Sequence, residues 1–161
     1  MKRIVRIIIC ATFLLLPYLG FSQSWYTQAT DLDVNGVFIG GTYTKTQVEA
    51  KWGGTPTKYR SGTSEFGLDE EYYYTTNVFR FSYNGNFQIF YIDTSNFSVY
   101  TAFSGGIKVG DNISRISAIG LGTPVLQSDG SYHLRRNNST DPLEFKHSNG
   151  VITQIMFSTS P

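Results

Sequence analysis

The chain has 161 residues, 16% of them aromatic and 16% charged, and its formal net charge at pH 7 is +1. This length suits one compact domain that folds without a metal or a disulfide. Beyond the first few positions the basic residues are scattered, so the chain lacks the concentrated positive charge of a nucleic-acid-binding protein. It also lacks the polybasic surface that binds anionic membranes. We therefore expect neither nucleic acid nor a membrane surface as its partner.

The first 22 residues have the pattern of a cleaved signal peptide. A basic start precedes an apolar run over residues 7–16, and the small residues Gly20 and Ser22 favour cleavage after Ser22. The apolar run is shorter than a membrane-spanning helix requires. We expect cleavage to leave a single domain over residues 23–161 that is periplasmic or secreted, without a stable membrane anchor. An uncleaved anchor and a lipid-modified Cys10 are the alternatives.

Cys10 is the single cysteine of the chain and lies inside this leader. The mature protein then has no disulfide, and its stability must come from packing. The chain has 13 Lys and Arg, and losing the three in the leader leaves ten against twelve Asp and Glu. The mature domain is therefore weakly acidic.

The exported part contains an internal correspondence between segments about 65 residues apart. Three pairs of segments share a pattern: 34–41 with 99–106, 48–56 with 116–124, and 79–89 with 143–155. The correspondence predicts one domain made of two repeats, about 30–96 and 97–161.

The first repeat has strong signals for a short helix. Thr44 and Gln47 form a capping-box pattern, and Val48 and Trp52 lie one turn apart on the expected buried face. Gly53 is placed to end the helix. Two to three turns are too few for a stable isolated helix, so this helix needs a sheet to pack on.

The second repeat predicts a similar helix with different residues. Asp111 is the expected N-cap, and Ile113, Ile116 and Ile119 form the apolar stripe. Gly120 follows the stripe and is placed to end the helix.

The remaining segments are rich in residues that favour strands, and Asn-Gly and Asp-Gly pairs mark turns between them. Strands are expected at Asn77–Tyr83, Phe87–Asp93, Phe97–Phe103, Tyr132–Arg136, Leu143–His147 and Val151–Ser158. The predicted fold class is α+β, with two tandem helix-plus-antiparallel-strand repeats that share one curved sheet and place their helices on one face. The predicted core contains Trp52, Phe79, Phe81, Ile89 and Phe145.

The pattern of Gly, a short helix, Gly-x-Pro and strands ending near an Asn-Gly turn resembles the tandem-repeat fold of the β-lactamase inhibitory protein. It is similar also to the single-repeat envelope lipoproteins of the SmpA/OmlA type. Gly41–Pro56, Val109–Pro124 and Leu143–Phe157 carry this resemblance. It implies a scaffold that grips another protein. The disulfides of the inhibitor and the lipid-modified cysteine of the lipoproteins have no counterpart here, and no contact residue carries over.

The two histidines are the first candidates for chemistry. His133 and His147 could meet on adjacent strands and bind a metal together with a carboxylate. No closely spaced pair such as H-x-H or H-E-x-x-H supports that site. We therefore predict neither a metal nor another cofactor.

Catalytic motifs are missing as well. The mature chain has no cysteine nucleophile and no G-x-S-x-G serine turn. Paired carboxylates could hydrolyse glycans, but the acidic group at 65–71 is typical of a solvated loop and Glu144 of a water-facing strand position. The sequence predicts a non-catalytic protein.

The aromatic residues carry the functional prediction. Alternate strand residues point to opposite faces, so the tyrosines cannot all fill a core beneath helices. Tyr and Arg concentrate at the energetic centres of protein interfaces. We predict an interaction surface on the open sheet face, formed by Tyr72, Tyr74, Tyr91, Tyr100, Tyr132, Arg135 and Arg136.

An unknown protein partner, bound by shape complementarity, is the leading hypothesis for this surface. The alternative is a carbohydrate-binding or glycan-processing protein whose exposed tyrosines stack on sugar rings. A third possibility is a structural envelope component. A broad apolar patch favours a protein partner, whereas a narrow groove with coplanar rings beside carboxylates favours a sugar.

Overall fold

The computed structural model describes residues 32–62, 69–102, 104–135 and 141–159. The predicted signal peptide over 1–22 and Arg136 lie outside these residues. The described residues form one α-helix, one 3₁₀ helix and twelve strands. The helix α1 is Lys45–Trp52, the 3₁₀ helix is Ile113–Ala118, and the strands are β1 Leu32–Val34, β2 Val37–Phe38, β3 Lys58–Arg60, β4 Glu70–Tyr74, β5 Asn77–Phe81, β6 Phe87–Ile92, β7 Ser98–Thr101, β8 Ser104–Lys108, β9 Val125–Leu126, β10 Tyr132–Leu134, β11 Leu143–Ser148 and β12 Val151–Ser158.

The strands form two antiparallel sheets. One has four strands in the order β2-β1-β7-β8, and the other has eight in the order β3-β4-β5-β6-β12-β11-β10-β9. In each sheet the strands before and after residue 97 form separate halves, which meet at β1 and β7 or at β6 and β12. In each sheet, the strands of the first half run inward from one edge in the same sequence order as the strands of the second half run inward from the other edge. A two-fold relation between the halves would produce this order.

The predicted fold class is wrong, because the described residues are mostly β-structure in two sheets rather than one sheet covered by helices. Val34, Val37, Val99 and Ile107 are fully or almost fully buried. They lie on paired strands of the four-stranded sheet. The reason is that the segments preceding each helix alternate apolar and polar residues over a few positions, and this period suits pairing as strands.

The second helical segment is a 3₁₀ helix, and the predicted N-cap Asp111 is wrong. The side chain of Asn112 caps it by accepting the backbone N–H of Ser114 at 2.9 Å. Ile113, Ile116 and Ile119 recur at every third position. This period suits a 3₁₀ helix, in which residues three apart are eclipsed, better than an α-helix.

The prediction for α1 is confirmed. Thr44 and Gln47 form the capping box, and Gly53 ends the helix in the left-handed conformation with φ of 80°. Val48 and Trp52 are its buried residues. The helix therefore presents a narrow apolar stripe one turn apart to the core.

Matched β-bulges occur in the two halves of the large sheet. The register of β5 against β6 shifts between Arg80 and Phe81, and that of β11 against β12 shifts between Lys146 and His147. A bulge inserts one residue and reverses which face the following residues occupy. This reversal places Phe87 and Phe90 together in the core and leaves the predicted core residue Ile89 only partly buried, on the opposite face.

One hydrophobic cluster joins both sheets and both helical segments. The predicted core residues Trp52, Phe79, Phe81 and Phe145 are confirmed as buried. Both sheets therefore bury one face in a shared interior and present the other face outward.

The two Asn-Gly turns differ. Asn149 and Gly150, with φ of 51° and 77°, connect β11 and β12 as the two-residue hairpin that the sequence predicts. Asn84-Gly85 lies inside a longer connection between β5 and β6. There Gly85 approaches the chain after β2, where its carbonyl accepts the N–H of Tyr43 at 2.8 Å.

Gly85→Ala should destabilise the protein more than Gly150→Ala. Both glycines have positive φ, but only Gly85 lies close to the backbone of another segment, at Tyr43. A Cβ there would lie 2.3 Å from the Tyr43 carbonyl oxygen, whereas a Cβ on Gly150 meets nothing within 4 Å. Urea unfolding should give a loss of about 1–2 kcal/mol for Gly150→Ala and about 3 kcal/mol or more for Gly85→Ala. Equal losses would contradict the close approach of this turn to Tyr43.

Candidate functional site

The eight-stranded sheet is the larger of the two described sheets, and one of its faces points away from the core. Its side chains follow from the cross-strand register. One row contains Lys58, Tyr73, Val78, Tyr91, Met156, Glu144, His133 and Val125, and the neighbouring row contains Arg60, Glu71, Arg80 and Ile89. We call these twelve residues the open face.

A shallow depression lies on the open face over β5 and β6. Its lining residues are Val78, Arg80, Ile89 and Tyr91, and its volume is about 260 Å³. Three of these side chains offer apolar or aromatic surface, and the fourth offers a guanidinium group. The depression therefore suits an apolar side chain that enters beside an acceptor or a negative charge.

Glu71 organises the charged border of this depression. Its Oε1 accepts from Arg80 Nε at 2.9 Å, and its Oε2 accepts from the Tyr73 hydroxyl at 2.8 Å and lies 3.1 Å from Arg60 Nη1. Glu71 is buried, while both arginine side chains are about half exposed. Burial by itself raises the pKa of Glu71, but the hydrogen bond from Tyr73 and the charges of Arg80 and Arg60 outweigh it and hold the pKa below its ordinary value.

Polar contacts also fix two tyrosines of the open face. The side-chain amide of Gln154 donates to the Tyr91 hydroxyl, and the ammonium group of Lys58 lies 5.1 Å from the centre of the Tyr73 ring. A cation over an aromatic ring is attracted by its negative face. Both rings are therefore held by side chains of the sheet itself.

The structure separates the tyrosines of the predicted interaction surface. Tyr91 lies on the open face. Tyr72 is fully buried and packs on Phe81, with ring centroids 5.0 Å apart. Tyr74 and Tyr132 are partly buried against the core. Burial raises the pKa of Tyr74 to about 12, and the nearby Glu49 carboxylate adds to this rise.

The other predicted site residues lie elsewhere. Tyr100 is 38% exposed but belongs to the four-stranded sheet. Arg135 is exposed just after β10, and Arg136 is outside the described residues. The prediction thus brought together residues of two sheets and both faces, because tyrosine content alone does not say which face a strand residue occupies.

The sequence prediction missed Tyr73, Val78, Arg80 and Met156 as residues of the open face. Strand alternation is the signal that could have found Tyr73. Tyr72 and Tyr73 are neighbours in β4, so their side chains point to opposite faces of the sheet. Strand alternation does not identify Ile89 as a residue of the open face. The register shift between Arg80 and Phe81 changes which residues of β6 face the core.

The two histidines do not meet. His133 lies on the open face, with its Nε2 3.5 Å from Glu144 Oε2. His147 lies beside the Tyr132 ring, with ring centroids 5.5 Å apart, on the side of the sheet that faces the core. Within residues 32–62, 69–102, 104–135 and 141–159, no group of three or more His, Cys, Asp or Glu is arranged to hold a metal ion.

Comparison with known proteins gives no matching family model, no matching curated protein and no matching solved structure. Among the helices of the described part of the chain, none is long and apolar enough to cross a membrane.

Glu71→Gln should remove a pH-dependent part of the stability. Because the folded-state pKa of Glu71 is lowered, its stabilisation is present above the ordinary glutamate value and is lost as the pH falls through the folded-state pKa. Urea unfolding near pH 7 should show Glu71→Gln less stable than the wild type by about 1–3 kcal/mol, and the difference should shrink on acidification to about pH 3.

Glu49→Gln is the matched control, since Glu49 pairs with Lys45 on the surface of α1. Such a pair contributes about 0.5 kcal/mol. If the wild type and Glu71→Gln keep the same stability difference at both pH values, Glu71 is not held ionised by its arginine partners.

Proposed function

We propose that this is an exported, non-catalytic binding protein that engages a protein partner through the open face of its eight-stranded sheet. The observation that carries the proposal is the combination of Val78, Ile89 and Tyr91 in one depression with Arg80 at its border. Export by a signal peptide over 1–22 is part of the proposal. N-terminal sequencing of the processed protein tests it.

The composition of the open face supports a protein partner. Aromatic residues, Met and Arg are enriched in the centres of protein interfaces, while most other charged residues are depleted there. Tyr73, Tyr91 and Met156 lie in one row across the sheet, and Arg80 lies in the next. A row that crosses several strands presents a continuous surface rather than a single pocket.

The charges indicate the chemistry of the partner. The part of the open face formed by β3 to β6 carries three basic residues, Lys58, Arg60 and Arg80. Glu71 pairs with Arg60 and Arg80 and neutralises only part of this positive charge. A partner with a carboxylate next to an apolar side chain complements this arrangement. Complementary charge at a border mainly raises the association rate and the selectivity.

The rigidity of the face favours affinity. Gln154 holds Tyr91, and Glu71 holds Arg80. Both side chains therefore lose little conformational freedom on binding, and less of the interaction energy is spent on ordering them.

The double variant Ile89→Ser/Tyr91→Ala should lose the partner. Wild type and variant, each immobilised as the mature protein, are incubated with extract of the cell envelope, and captured proteins are quantified by mass spectrometry. Truncating central contacts of an interface costs about 2 kcal/mol or more, so recovery of the specific partner should fall at least about tenfold.

Tyr83→Ala is the control, because Tyr83 is 52% exposed but lies in the β5–β6 connection outside the open face. It should capture the same proteins as the wild type. Circular dichroism and thermal unfolding establish that both variants are folded. Equal recovery of every captured protein by the wild type and the double variant would refute the proposed interface.

A further inference from the structure

The four-stranded sheet has an edge at β8, since β8 is the last strand in the order β2-β1-β7-β8. Of the four edge strands in the described part of the chain, β8 is the longest, with five residues. An edge strand presents backbone N–H and C=O groups that can pair with a strand of another chain. Its length therefore makes β8 the edge with the most backbone to offer.

The two edges of the eight-stranded sheet carry residues that disfavour such pairing. β3 contains the exposed residues Lys58 and Arg60. β9 has only two residues, and Pro124, which has no N–H to donate, precedes it. Charged residues, short strands and proline are the usual means of protecting an edge. β8 instead contains Gly105 and Gly106, which have no side chains to shield the backbone.

Asp111 takes the place of a neighbouring strand at the end of β8. Ser98, the β7 partner of Lys108, bonds to Asn35 through both its N–H and its carbonyl, so the backbone groups of Lys108 point away from β7. On that side the Oδ2 of Asp111 accepts the N–H of Lys108 at 3.0 Å, and the N–H of Asp111 donates to the Lys108 carbonyl at 3.1 Å. Both outward groups of Lys108 are therefore used within the chain.

Arg115 extends this cover to Gly106. Its Nη2 donates to the carbonyl of Gly106 at 3.1 Å, and its Nη1 lies 2.6 Å from Asp111 Oδ2. Gly106 and Lys108 are two residues apart in β8, so their backbone groups point to the same side. The ion pair thus holds the guanidinium group along the edge, where the next strand of a larger sheet would lie.

We propose that Asp111 and Arg115 close the β8 edge against pairing with the β8 strand of a second copy of this protein. Two identical edge strands can pair antiparallel about a two-fold axis, because each then meets the same groups on the other. A second strand must displace Arg115 before it can bond to the Gly106 carbonyl. This edge is separate from the open face, so the role of Asp111 and Arg115 does not depend on the proposed function.

Sedimentation velocity of the mature protein over a range of concentrations tests this role. The wild type should sediment as one species at every concentration. Asp111→Ala/Arg115→Ala frees backbone groups of Gly106 and Lys108, and each hydrogen bond that such a group makes contributes about 1 kcal/mol. The self-association constant should therefore rise at least about tenfold.

Lys45→Ala/Glu49→Ala is the matched control, because this ion pair is also four residues apart with a contact of 2.6 Å but lies on α1. It should sediment as the wild type does. Adding Gly105→Lys to the Asp111→Ala/Arg115→Ala variant should reverse the association. A Cβ at Gly105 meets nothing within 4 Å, and a lysine there places like charges on the two paired edges.

Thermal unfolding establishes that each variant is folded. Arg115→Ala alone, which leaves the contacts between Asp111 and Lys108 in place, serves if the double variant does not fold. The proposal is overturned if the folded variant sediments as the wild type does at every concentration. It is also overturned if the Lys45→Ala/Glu49→Ala control associates equally, or if Gly105→Lys leaves the association unchanged.

Discussion

The indole of Trp52 joins the helix to both sheets. Its Nε1 donates to the carbonyl of Val34 in the four-stranded sheet at 2.8 Å. The centroid of its ring lies 4.3 Å from that of Phe79 in the eight-stranded sheet. Phe87 and Phe97 contact other parts of the same ring. A large aromatic side chain with a satisfied N–H can bury much apolar surface without leaving a polar atom unpaired. Because both sheets close on this residue, their other faces are left to meet solvent or partners.

The outer faces of the two sheets carry different side chains. On the large sheet, Arg80 and its neighbours border a depression that suits an apolar side chain beside a carboxylate. On the small sheet, the ring of Tyr100 lies over Gly106 of β8, and Tyr100 pairs with Asp33 of β1.

The internal repeat and the resemblance to the β-lactamase inhibitory protein remain predictions. The strand order and the matched bulges are the geometry that a repeat would produce. One correspondence inferred from the sequence needs revision: the N–H of Gly40 donates to Phe87, and it is the N–H of Gly110 that donates in the same way to Ile152. Gly110, rather than Gly105, occupies the position of Gly40, because β7 and β8 extend over Ser98–Lys108, whereas β1 and β2 extend only over Leu32–Phe38.

The sequence alone determined the elements whose signals are local. Thr44 and Gln47 define the start of α1 because a cap involves neighbouring residues, and Asn149-Gly150 defines a hairpin because both residues accept positive φ. Only the tertiary structure decided that the segments before the helices pair into a second sheet, and that Ile89 lies outside the core. Strand partners and bulges depend on contacts between residues far apart in the chain. Which face a tyrosine occupies follows from those contacts, so the open face can be recognised only in the folded protein.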